Sequence, residues 1–420
     1  MKGEKVWNKR TGAKVLSASM MAAMLLSAAP VYAEASTAGI DLSTPYPGIM
    51  VKAGETVNFD LDFTSLDGTG QDVALSIESL PEDWREDGNP LVLNGVSAAP
   101  AVKEKKMKVI KGAINIGVAG DHFSVLFSRL KGCMVSYRFH GRELIERFPR
   151  PNFWRAPTNN DEGNHMPQRY GVWKLASLYH DFAGPEDNIY DSGCEAAQYP
   201  KLEEKDGYAD IIFKRYFTVD VQEKQASVLT TYRVFPDGTV RLILAFDGDG
   251  SLPPMPEFGW MFTLNGDFGH VRYYGLGPEE NYCDRNRGSR LSVYERDVRD
   301  MAEPYLVPQE TGNRTGVRYA EVTDHRGHGV RFTAAYFEDP EDPESSKPGS
   351  MEFSALPYSP EMLEEARHPY ELPRSQFTYV RCSLKQMGIG GDDSWGARTH
   401  EEFLLKTCGR MTFAVDFKGI

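Results

Sequence analysis

Gln386-Met387-Gly388-Ile389-Gly390-Gly391-Asp392-Asp393-Ser394-Trp395 is the stretch around which the rest of the chain can be read. Three glycines fall within four residues, two carboxylates follow, and a tryptophan ends the run. Without a Cβ, glycine takes positive φ values and sharp reversals that other residues resist. Asp and Ser then bond to nearby backbone groups and hold the turn. The pattern is that of a tight loop presenting one large aromatic ring. Such a ring either packs back onto the core, as most Trp do, or faces solvent and stacks on a flat apolar surface such as that of a sugar.

Three further blocks precede it. They are Asn152-Phe-Trp-Arg-Ala-Pro-Thr-Asn-Asn-Asp-Glu-Gly163, Tyr274-Gly-Leu-Gly-Pro-Glu-Glu-Asn-Tyr-Cys-Asp-Arg285 and Tyr305-Leu-Val-Pro-Gln-Glu-Thr-Gly-Asn-Arg-Thr-Gly-Val-Arg318. Together with Met387–Trp395, and in that order, they resemble the C-terminal part of family 2 β-galactosidases, also known as the small chain. The resemblance covers about residues 104–420. It implies an all-β fold, a large antiparallel super-sandwich similar to galactose mutarotase. It also implies a partner, a β-galactosidase large chain carrying the catalytic barrel, and a carbohydrate substrate. No cofactor is expected from this chain, and any Mg or Na ions are expected on the large chain. Family 2 enzymes are retaining glycosidases, which need a carboxylic acid and a carboxylate nucleophile about 5–5.5 Å apart. In the family both lie on the barrel, and no segment here resembles the ones that carry them. No catalytic residue is therefore assigned.

Composition is consistent with a soluble globular protein of two or three domains. Of 420 residues, 41% are hydrophobic and 25% charged. The 39 Gly, 26 Pro, 22 Phe and 20 Tyr favour turns and strands over long helices. Net charge is −13. Residues 1–33 carry Lys2, Lys5, Lys9, Arg10 and Lys14 against Glu4, so the remainder is more acidic still. That excludes nucleic acid and an anionic membrane as natural partners. The five cysteines form no Cys-x-x-Cys pair, which leaves zinc and redox motifs without support.

Residues 1–33 read as an export signal: a basic start, an apolar run from Val15 to Ala29, and Val31-Tyr32-Ala33 as the small-residue cleavage pattern. An exported protein, extracellular or at the cell surface, follows. Residues 39–88 read as a small Ig-like β segment. Val57, Phe59, Leu61 and Phe63 alternate with polar residues, and Val73, Leu75 and Ile77 do so after the turn at Asp67–Gly70. Its text resembles part of a NEW3-type β-sandwich. Residues 89–103 read as a linker.

Beyond the linker, strands recur at short intervals. Phe123–Phe127 and Met134–Phe139 form a hairpin pattern. Val172–Leu178 reads as a short helix or a strand. Ala209–Val221, Ser227–Phe235 and Thr239–Phe246 alternate around the turn Pro236-Asp-Gly238. Glu338–Gly349 reads as an acidic, Pro-rich loop. Ser359-Pro360-Glu361 opens a helix, with Ser as N-cap and Pro at the first position. Phe377–Leu384 feeds the Gly-rich loop, and Phe403–Leu405 with Met411–Phe417 finish the sheet.

The candidate substrate-binding residue is Trp395. In the family the matching Trp reaches from the small domain into the pocket of the barrel and stacks on the bound sugar. Asp392, Asp393, Arg155, Asn160 and Asp161 are candidates for bracing the loop or walling the pocket. The family usually has Asp where Asn159 stands, which removes one acid that could pin Arg155. Glu279-Glu280 and Asp392-Asp393 are adjacent pairs whose side chains diverge on an extended chain, so neither suits a glycosidase dyad. His325 and His328 lack a third ligand, and no metal site is assigned. Other functions stay open. One is an exported, non-catalytic carbohydrate-binding protein or the remnant of a larger glycosidase gene. Another is a mutarotase-like epimerase, for which no convergent His and acid are found.

Overall fold

The computed structural model describes residues 107–179, 200–217, 226–335, 349–393 and 396–420 in full, and elsewhere only the backbone of some strands. The leader at 1–33, the β segment at 39–88, the linker at 89–103, Ser394 and Trp395 lie outside the fully described residues. The chain divides into two compact units, Met1–Lys105 and Lys106–Ile420. In the first, four strands run in the order Ile40–Ser43, Thr56–Ser65, Lys14–Met20, Trp84–Glu86. Gln71–Leu75 pairs separately with Leu91–Val96, a strand that falls inside the stretch expected as a linker.

The second unit is built from antiparallel sheets. An N-terminal meander joins Lys108–Lys111, Asn115–Ala119, Phe123–Ser128, Cys133–Phe139 and Arg142–Glu143, each paired with its sequence neighbour. Its last turn is His140-Gly141, with φ of 48° and 80°. Two successive positive φ values match the twist of the flanking strands.

A long sheet runs in the order Asp181–Phe182, Tyr208–Thr218, Gln225–Val234, Val240–Asp249, Cys408–Gly419, Gly329–Ala334, Tyr319–Thr323, His270–Gly277, Arg290–Asp297. Lys201–Lys205 adds to the Tyr208–Thr218 strand. An inner sheet runs in the order Arg147–Asn152, Glu257–Asn265, Phe377–Gln386, Met351–Leu356, Arg314–Val317.

The inner sheet is covered on both faces. Glu257–Leu264 and all of Met351–Leu356 are buried, so these strands show no alternation of exposure. One face is apolar. Register places Trp260 opposite Cys382 and Phe262 opposite Val380, with Phe353 beside Cys382. This face meets the long sheet. The Phe262 ring lies 4.9 Å from Phe332 and 5.4 Å from Phe417, both on long-sheet strands. Full burial of each such side chain contributes about 1.5–3 kcal/mol. The meander closes the same core, with Phe127 5.3 Å from Tyr232 and Tyr137 4.7 Å from Phe417.

The all-β antiparallel class agrees with the sequence reading. Three details differ from it. Phe337–Asp339 and Asp342–Lys347 form a two-stranded ladder where a loop was expected, because backbone pairing does not require apolar side chains. Glu401–Phe403 is a 3₁₀ turn, and Leu405 makes only a single bridge to Met255, so the run Phe403–Leu405 adds no strand. Two short helices, Asn159–Gly163 and Met166–Tyr170, precede the helix Val172–Leu178.

Candidate functional site

The other face of the inner sheet is polar and buried. Register puts Ser383 opposite Glu352 and Arg381 opposite both Met261 and Ser354. A bulge between Phe258 and Gly259 resets the neighbouring strand. The Glu257 carboxylate accepts from Arg381 Nη1 at 2.8 Å, from Asn152 Nδ2 at 2.8 Å and from the Ser383 hydroxyl. Arg381 also donates to Glu310 and, through Nε, to Ser354 Oγ at 3.1 Å. Burial opposes the Arg381 charge, but Glu257 and Glu310 outweigh it and raise its pKa. Glu352 has donors but no cation beside it: Asn313 Nδ2 at 2.9 Å and the Gln386 amide at 3.1 Å. Burial pushes its carboxyl up to about 8.

The Tyr274–Arg285 and Tyr305–Arg318 blocks meet on this floor. Asn281 Oδ1 accepts from the Thr315 amide at 2.8 Å and its hydroxyl at 2.6 Å, and Asn313 Nδ2 donates to the Asn281 carbonyl at 3.0 Å. Glu280 accepts from Gly312 N at 2.7 Å and Thr311 Oγ1 at 2.9 Å, and also from Arg285 and the Tyr305 hydroxyl. Its neighbour Glu279 instead pairs with Arg296 at 3.2 Å. The two carboxylates therefore do different work and form no dyad. They border a cleft of about 490 Å³ with Arg285, Glu303, Pro304 and Tyr305.

The Asn152–Gly163 block and the Gly-rich loop are fastened to each other. Arg155 and Asp161 are both buried, with Nη1 2.6 Å from Asp161 Oδ2. Arg155 Nη2 donates to the Gly388 carbonyl at 3.2 Å. Asp161 Oδ2 also takes the Thr158 amide at 2.8 Å, completing a capping box for the helix Asn159–Gly163. The acid that pins Arg155 is thus Asp161. Asn159 meets Gln309 through its backbone amide, 3.2 Å away. Asn160 Nδ2 reaches the Ile389 carbonyl at 3.3 Å. Asp284 Oδ2 accepts from Gly390 N at 2.7 Å.

Glycine is required at two of these positions by close approach. A Cβ on Gly388 would sit 2.6 Å from Asp284 Oδ2, and one on Gly391 would sit 2.6 Å from the Ala397 carbonyl. Asp392 and Asp393 are exposed and diverge. Asp392 Oδ1 lies 2.7 Å from His400 Nε2, and Asp393 Oδ1 accepts from Ala397 N at 3.3 Å. The structure therefore brings Arg155, Asn160, Asp161, Asp392 and Asp393 to one loop, while Trp395 on that loop is outside the described residues. His325 and His328 lie on an exposed turn. Among the described residues, no group of three or more His, Cys, Asp or Glu could hold a metal ion. No described helix is long and apolar enough to cross a membrane.

Sequence reading missed Asp284, Thr399 and His400 as loop braces, and it missed the buried floor. A signal for the floor was present: Glu257, Glu352 and Arg381 each interrupt an apolar run.

A family model described as "Beta galactosidase small chain" matches residues 119–417. The chain belongs to that family. This small chain is 34% identical to a "Beta-galactosidase" of Halalkalibacterium halodurans over 395 residues, 91% of this chain and 36% of that protein. It is 31% identical to a "Beta-galactosidase small subunit" of Latilactobacillus sakei over 313 residues, 70% of this chain and 92% of that protein. It spans about a third of the length of the first curated β-galactosidases it matches. Among solved structures, a galactose mutarotase-like protein from Lactobacillus casei aligns with 75% of the chain and all of that protein, at 12% identity and a TM-score of 0.36.

Proposed function

We propose that the small chain completes a β-galactosidase whose catalytic acid and nucleophile come from a separate large chain. The assembled enzyme hydrolyses terminal β-galactosides with retention, through a carboxylate pair on the large chain. The small chain walls the sugar pocket, supports assembly and stacks the sugar on Trp395. The observation that carries this reading is the small-subunit relative, 92% of whose length the chain covers. The brace on the loop supports the stacking role. Backbone groups of Gly388, Ile389 and Gly390 are tied to Arg155, Asn160 and Asp284, which leaves the following residues as the projecting part.

The test is aryl-β-galactoside hydrolysis by the purified chain, alone and mixed with a candidate large chain. Activity in the mixture alone is expected, and turnover by the chain alone would refute the division of labour. In the active mixture, Trp395→Ala removes a stacking platform worth about 1–3 kcal/mol. KM should rise between about fivefold and about 150-fold. An unchanged KM sinks the stacking role.

A further inference from the structure

We propose that His400 is a positioning residue for the loop that carries Trp395, holding the loop tip through Asp392. This rests on the stacking role of Trp395 put forward above. The feet of the loop are fixed independently. Thr399 Oγ1 donates to the Gly388 carbonyl at 3.0 Å and stands 3.2 Å from that of Gly390. Asn164 Nδ2 reaches the Ala397 carbonyl at 3.4 Å.

The tip from Asp392 to Gly396 stands outside these ties. Two side-chain bonds cross it. Asp393 to Ala397 N joins two points of the same excursion, so both can move together. Asp392 to His400 joins the tip to something fixed. His400 sits on a post: its carbonyl accepts from Phe403 N at 3.0 Å, and the Phe403 carbonyl accepts from Gly388 N at 2.9 Å.

The charged groups around His400 favour its cationic form. Asp392 Oδ1 lies 2.7 Å from Nε2, and Glu402 Oε1 lies 3.8 Å from Nδ1. Lys385 Nζ, on the inner sheet, points to the Glu402 carbonyl at 3.5 Å, and Arg398 and Glu401 flank the imidazole in sequence. Asp392, then Glu402, raise the His400 pKa above its ordinary value. The charged tie is therefore complete below the ordinary histidine pKa and weakens as pH rises through the elevated one. Both side chains are half exposed or more, so the effect is modest.

Amide hydrogen exchange on the full chain tests the tie without a partner. At pH 6, peptides covering residues 389–398 should exchange between about 1.5-fold and about fivefold faster in His400→Gln than in wild type. At pH 9 the two should exchange alike. Equal exchange at pH 6, or a difference that persists unchanged to pH 9, overturns the proposal. In the active mixture at pH 6, His400→Gln and Asp392→Asn should each raise KM by the same modest factor, and the double variant by no more. Unchanged KM in these variants, with KM raised in Trp395→Ala, overturns the positioning role alone. Unchanged KM in Trp395→Ala overturns the stacking role and the positioning role with it.

Discussion

Replacing Glu352 by Gln should change how stability depends on pH. The carboxyl is buried under the inner sheet with two neutral donors and no cation. Its pKa is pushed from 4.5 up to about 8, chiefly by burial. Below pH 4.5 the group is neutral folded and unfolded, and no difference arises. Between pH 4.5 and about 8 the unfolded chain releases the proton and the folded chain keeps it, so stability falls as pH rises. Above about pH 8 the whole difference is reached, on the order of 5 kcal/mol. Gln is neutral throughout, and its side-chain oxygen can keep both hydrogen bonds. Thermal unfolding of wild type and Glu352→Gln should therefore agree within a few degrees at pH 4.5. The variant should become the more stable one by pH 9, by several degrees. Parallel pH profiles would refute the burial of a protonated Glu352.

Three further outcomes follow from the contacts around the loop. Arg155→Met leaves Asp161 buried without its cation and should lower stability by about 3–5 kcal/mol in thermal unfolding, with Asp161→Asn recovering part of the loss. Full additivity of the two changes would show that they do not act as a pair. Gly388→Ala drives a methyl against Asp284 and should cost about 1–3 kcal/mol while slackening the loop, seen as faster exchange at residues 389–398. Unaltered exchange there would mean the close approach is not what sets the loop.

Strand positions were legible where one face is buried and the other is not. Tyr208–Thr218 alternates in burial through Ala209, Ile211, Phe213 and Arg215, and so it alternates in sequence. Glu257–Asn265 is covered on both faces, so its text is a nearly unbroken apolar run that fits a strand or a buried helix equally well. The Gly-rich loop was legible because close approach restricts residue choice to glycine. Its partners were not, since Asp284 and Thr399 carry no local pattern and find the loop only after the chain has folded. Glu310 and Arg381 are 71 residues apart and become a pair only through sheet register. Thr158 and Asp161 had the spacing of a capping box, which would have located the helix at Asn159.

The long sheet has a seam in its middle. Cys408–Gly419 lies between Val240–Asp249 and Gly329–Ala334, paired to ten residues of one and five of the other. Everything on either side of the seam is made from earlier sequence. During synthesis the two half-sheets therefore wait, each with an open edge whose free N–H and C=O groups invite another strand. Insertion of the last strand satisfies both edges in a single event and joins the halves. The step is non-local, and loop-closure entropy makes it slow. A nascent or truncated chain stopping short of Cys408 is accordingly a template for strand exchange rather than a smaller version of the domain.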